Sequence, residues 1–136
     1  MAMENSAYIS WKDDYEIGIP DIDRQHMRLV ELINKLYMAM EVGTADETGK
    51  VLQGLIEYTV SHFADEEQLQ ERHGYPGLDG HRKLHTELVA EVLGYVKRFQ
   101  ADEPGVEANL MWFLKDWLLN HIRMQDAKIA KHILGK

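Results

Sequence analysis

Four stretches of this chain repeat inward-type residues at alternating steps of three and four, the spacing that gives a helix one continuous buried seam. The first seam reads Ile22, His26, Leu29, Ile33, Leu36 and Met40. The second reads Leu52, Leu55, Thr59, His62, Glu66 and Leu69, and the third Leu78, His81, His85, Leu88, Val92, Tyr95 and Phe99. The fourth reads Leu110, Leu114, Trp117 and His121. Gly and Pro cluster at Gly18 to Pro20, Gly43 to Gly49, Gly74 to Gly80 and Pro104-Gly105. Connections this short turn each helix back along its predecessor, so the pattern predicts an all-α, antiparallel up-down-up-down four-helix bundle. Thr44 and Glu47 have the spacing of a capping box opening the second helix, with Gly43 ending the first. Pro104 suits the first turn of the fourth helix. Residues 1–18 show no period and are expected to form an extended arm anchored by Trp11 and Ile17. The reading is therefore a single domain over residues 1–136, with the arm at 1–18 and the bundle at 19–136.

The seams are not purely apolar. His26, His62, Glu66, His81, His85, His121 and Asp126 all fall where a bundle would bury them. A polar group in an apolar core costs up to several kcal/mol unless something satisfies it. Depth can be checked independently of the helix assignments. His26 lies about 17 residues before the first turn and His62 about 17 after it, so at about 1.5 Å per residue they share one level. His85 and His121 lie at comparable distances on either side of Pro104, and Glu66 and His81 flank the Gly74 turn. Groups from all four helices therefore meet, and a metal is the partner that satisfies them together.

One spacing misfits. His62/Glu66 and His81/His85 are four apart and share a helix face, but His121 and Asp126 are five apart, about 140° around a regular helix. The apolar pattern slips at the same place, resuming at Asp126, Ile129, Ala130 and Ile133. A single wide π-type turn between His121 and Asp126 is expected, a device common at functional sites.

Composition narrows the chemistry. A net charge of −8 argues against nucleic acid or an anionic membrane surface as partner. No apolar run approaches the roughly 20 residues of a membrane span, and the start lacks a basic region followed by an apolar stretch. The expected location is cytoplasmic. The absence of cysteine removes Fe–S clusters, thiolate zinc sites and covalently attached c-type haem. Five imidazoles and two carboxylates exceed one tetrahedral zinc and suit two adjacent six-coordinate ions, pointing to di-iron. Two Fe(II) ions carry +4, and two carboxylates with a hydroxide remove three, leaving about +1. Such a neutral-ligand-rich site favours the reduced state, hence reversible oxygen capture over vigorous oxidation. No Glu is followed three residues on by His, so the Glu-x-x-His pattern of carboxylate-rich di-iron oxidases is missing.

These residues resemble the hemerythrin family, especially its single-domain bacterial members. The resemblance runs from Trp11 and Gly18-Ile19-Pro20-Asp21-Ile22-Asp23-Arg24-Gln25-His26 through His62-Phe63-Ala64-Asp65-Glu66-Glu67 and Tyr75-Pro76. It continues in His81-Arg82-Lys83-Leu84-His85 and His121 through Asp126. The resemblance implies two iron ions per chain. His81, His85 and His121 would hold one, and His26 and His62 the other, which keeps an open position. Glu66 and Asp126 would bridge them beside an oxo or hydroxo group. Phe63, Trp117, Leu118 and Ile122 would line a dry oxygen pocket. Dioxygen is the implied ligand, with a protein recipient of oxygen as the macromolecular partner the reading leaves room for.

The expected role is an oxygen carrier for storage, delivery or protection, not an enzyme. A di-iron enzyme acting on peroxide or nitric oxide needs a polar proton donor, whereas the residues flanking His62 and His121 are mainly apolar. A sensor module usually adjoins a signalling domain, for which 136 residues leave no room. A haem bundle with His and Met ligands leaves the carboxylates unexplained, so the Met residues are read as gap fillers. His73 and His132 are expected to face solvent. The acidic run Asp65, Glu66, Glu67 and Glu71 is expected to be a solvated face, with Glu66 the exception.

Overall fold

Pro20 occupies the first turn of the first long helix, where its missing N–H costs nothing. From there a computed structural model, which describes residues 8–135, is helical almost throughout. The long elements are α1 (Pro20–Val42), α2 (Ala45–Arg72), α3 (Leu78–Gln100) and α4 (Val106–Asn120). A wide turn over His121–Asp126 carries α4 directly into α5 (Ala127–Leu134), so α4 and α5 form one rod. Each rod packs on the next, and α4 closes the ring against α1. This is the all-α four-helix bundle that the seams predict.

The local signals act as expected in most places. Thr44 Oγ1 accepts from Glu47 N–H at 3.1 Å and Glu47 Oε1 accepts from Thr44 N–H at 3.0 Å, so the capping box is complete. Pro104 is different. It sits in the turn before α4, and Gly105 at φ +81° separates it from the helix. The left-handed backbone there suits glycine, which carries no Cβ penalty.

Inward positions follow the seams closely. Leu29, Ile33 and Leu36 meet Leu52, Leu55, Leu88, Val92, Leu110 and Leu114 in one buried cluster. Each such side chain stabilises the fold by about 1.5–3 kcal/mol on burial. The second seam departs at its end, where Leu69 is half-buried and Gln70 is fully buried. After Glu66 the inward step is four residues, not three. Residues 1–7 of the expected arm lie outside the described residues, and the remainder has firmer anchors than expected. Trp11 and Ile17 are half-buried against the core, but Ile9 and Tyr15 are buried outright. Asn34 holds Ile9 through both backbone groups, donating to Ile9 O and accepting from Ile9 N–H, each at 2.8 Å. Asp23 then accepts from the N–H groups of Ile17 and Gly18 at 2.8 and 3.1 Å, fixing the entry to α1. Among the described residues, no helix is long and apolar enough to cross a membrane.

Candidate metal centre

All seven polar seam residues are buried, and their side chains converge at one level of the bundle. His26 comes from α1, His62 and Glu66 from adjacent turns of α2, and His81 and His85 from adjacent turns of α3. His121 and Asp126 stand at the two ends of the wide turn. That turn is π-type, with Ala127 N–H bonding to Ile122 O five residues back. The extra residue brings Asp126 Oδ1 to 3.1 Å from His121 Nε2.

The donors form two groups that share their carboxylates. In the first, His121 Nε2 lies 3.1 Å from His81 Nε2 and 3.3 Å from His85 Nε2. Glu66 Oε1 faces this group, 2.9 Å from His81 and 3.2 Å from His85. In the second, Glu66 Oε2 lies 3.2 Å from His62 Nε2 and 3.4 Å from His26 Nε2. Asp126 divides in the same way, with Oδ1 at 3.1 Å from His81 and Oδ2 at 3.0 Å from His26. Glu66, His81, His85 and His121 are close enough to hold one metal ion, and His26, His62 and Glu66 another.

His81 Nε2 and Glu66 Oε1 meet in hydrogen-bonding geometry, but several of the other atoms are near one another without being aimed at one another. His26 Nε2, Glu66 Oε2 and both Asp126 oxygens have no hydrogen-bond partner, although all are buried. Burial lowers the pKa of His26, but the Asp126 and Glu66 carboxylates outweigh it and lift the imidazole to about 9. His81 is lifted to about 9 by the same opposition. Burial pushes Glu66 up, yet imidazoles on four sides hold it well below the usual carboxylate range. Asp126 is likewise held low, against burial and the Glu66 charge, by His121, His26 and His81. The polypeptide alone draws protons into this cluster. A cation at the same place satisfies the same orphaned atoms, so the residues present fit a metal.

Two imidazoles are fixed from behind by residues that sequence reasoning did not single out. His62 Nδ1 donates to Gln25 Oε1 at 2.6 Å, and Gln25 Nε2 donates to Asp65 Oδ2 at 3.0 Å. His85 Nδ1 donates to Glu67 Oε2 at 2.8 Å. A donating Nδ1 leaves the Nε2 lone pair directed at the centre. Glu67 is therefore not simply part of a solvated face, because helix rotation turns its carboxylate toward α3. The available signal was adjacency, since Gln25 precedes His26 and Glu67 follows Glu66.

Beside the donors lies a cavity of about 30 Å³ whose walls include Phe63, Leu114, Trp117 and Leu118 together with His26 and His62. Phe63 stacks flat on His85 at 3.6 Å between ring centres, and Trp117 on His121 at 4.2 Å. Ile122 is fully buried and is not among the residues that line this cavity. His73 and His132 are exposed and lie outside the cluster, with His132 Nε2 3.0 Å from the His73 carbonyl.

A family model described as the hemerythrin HHE cation binding domain matches residues 17–133. The chain belongs to the hemerythrin family. It is 39% identical over 127 residues to a bacteriohemerythrin of Stenotrophomonas maltophilia, covering 93% of this chain and 82% of that one. It is 33% identical over 128 residues to a myohemerythrin of Riftia pachyptila, covering 94% and 96% respectively. A solved wild-type hemerythrin is similar in fold at a TM-score of 0.85 and 31% identity, covering 93% of this chain and 98% of that one. A hemerythrin domain implies a non-haem metal site, and a donor set of imidazoles and carboxylates without thiolate agrees with that.

Proposed function

We propose that this hemerythrin domain holds two irons, joined by Glu66, Asp126 and an oxo or hydroxo group, and binds dioxygen reversibly beside them. His81, His85 and His121 would hold one iron, and His26 and His62 the other. The observation that carries the reading is the division of the carboxylates, each turning one oxygen to the three-imidazole group and the other toward the pair. Two bound irons supply one-electron redox chemistry at adjacent ions.

The chain's own residues do the remainder. Gln25 and Glu67 hold protons on the outer nitrogens of His62 and His85, keeping Nε2 free to ligate. Phe63, Trp117 and Leu118 exclude water from the cavity beside the two-imidazole group. Thr59 also borders that cavity, but its hydroxyl donates to Leu55 O at 2.7 Å. A dry wall with no free hydroxyl favours capture and release of a small apolar molecule over proton-demanding catalysis.

The test is metal analysis together with absorption spectra recorded as the iron-loaded chain passes from argon to air and back. Two irons per chain and a colour change reversed by argon are expected. Fewer than two irons, or an irreversible change, overturns the carrier reading. Steady turnover of peroxide or nitric oxide would replace it with an enzyme.

A further inference from the structure

The two imidazoles held from behind have acceptors of different charge. His62 donates to the neutral amide oxygen of Gln25, whose orientation is set by Asp65. His85 donates to the carboxylate of Glu67. An anionic acceptor takes a stronger hydrogen bond and returns electron density to the ring, making its other nitrogen the better metal donor. Arg82 works against this. Its Nε donates to the second Glu67 oxygen at 3.3 Å, while its remaining nitrogens are shared with Glu71 at 3.5 Å and Asp79 at 3.9 Å. Glu67 is 22% exposed and Arg82 46%, so the carboxylate is partly sheltered and the cation lies open to solvent. Phe63 packs against one face of the His85 imidazole, parallel to it within 2°.

We propose that Glu67 is a positioning residue that makes His85 a stronger donor than His62, with Arg82 setting how much stronger. The two metal pockets then differ in electron richness through their outer acceptors as well as their imidazole number. The inference rests on the metal-centre reading above.

The experiment compares the full chain with Glu67→Gln and Arg82→Gln. Glu67→Gln keeps the side-chain length, removes the charge and leaves one amide oxygen where two carboxylate oxygens accept from His85 and Arg82. It should raise the reduction potential of the iron-loaded protein and weaken Co(II) binding by the metal-free protein on the order of 10-fold. Arg82→Gln, at an open surface position, should lower the potential. Opposite signs are the signature, since a packing role for either residue would not produce them. Redox titration, Co(II) titration followed by its absorption bands, and iron per chain are the readouts. Shifts of the same sign, or no shift with two irons retained, overturn this inference and leave the metal centre standing. A wild-type chain that takes up no paired metal overturns both.

Discussion

Metal-free and metal-loaded protein should respond to alkaline pH in opposite directions. In the metal-free chain His26 and His81 are raised from 6.5 to about 9, so each favours the fold in its protonated form. That stabilisation is fully present below the unfolded value of 6.5 and is lost as pH rises through about 9. At about 1.4 kcal/mol per pKa unit, His26 alone contributes on the order of 3 kcal/mol. His81 adds in the same direction. On the acid side, Glu66 and Asp126 are lowered, so their contribution is present above the ordinary carboxylate range and fades as pH falls below it. The metal-free chain should therefore be most stable near pH 5–6. Metal reverses the alkaline arm, because it binds deprotonated imidazole and competes with the proton. Urea unfolding at several pH values between 6.5 and 9, on chelator-treated and loaded protein, measures both slopes. A flat profile for the metal-free chain across that interval would refute the argument that the carboxylates hold His26 and His81 protonated.

Four further outcomes are expected. His121→Ala removes one of three imidazoles from the larger group and should lower iron content below two per chain; an unchanged count excludes His121 as a ligand. Leu118→Asn places an amide in the wall of the cavity and should shorten the lifetime of the oxygenated form on the order of 10-fold, equivalent to about 1.4 kcal/mol of barrier. An unaltered lifetime removes Leu118 from the pocket. Gln70 is fully buried, and neither amide atom has a protein partner among the described residues. Gln70→Leu should raise unfolding free energy by about 1–3 kcal/mol in urea titration, and a loss would mean that the amide is engaged. Deleting Met124, 59% exposed in the wide turn, removes nothing from the core but turns everything after it by about 100°. Metal uptake should fail, and two metals retained would show that Asp126 does not depend on the extra residue.

What could be read from the sequence divides along a physical line. Periodicity reports which way a side chain points from its own helix, so the seams, the four rods and the seven inward polar groups were legible. The π-type turn was legible for the same reason, because His121 and Asp126 disagreed with a regular helix while each agreed with its own seam. Periodicity does not choose between inward steps of three and four, and Leu69 was expected where Gln70 is buried. Nor does it reach the arm, whose burial of Ile9 depends on one side chain, Asn34, matching both groups of a single peptide position. Gln25 and Glu67 were hidden for a further reason. Each is a flank residue of its own helix, and its role arises only when the neighbouring helix brings an imidazole Nδ1 within 2.6 and 2.8 Å respectively. A carboxylate beside an inward-facing donor reads as surface charge until the distance to the next helix is known. Inward donors are thus written helix by helix, whereas the groups that orient and tune them are written between helices.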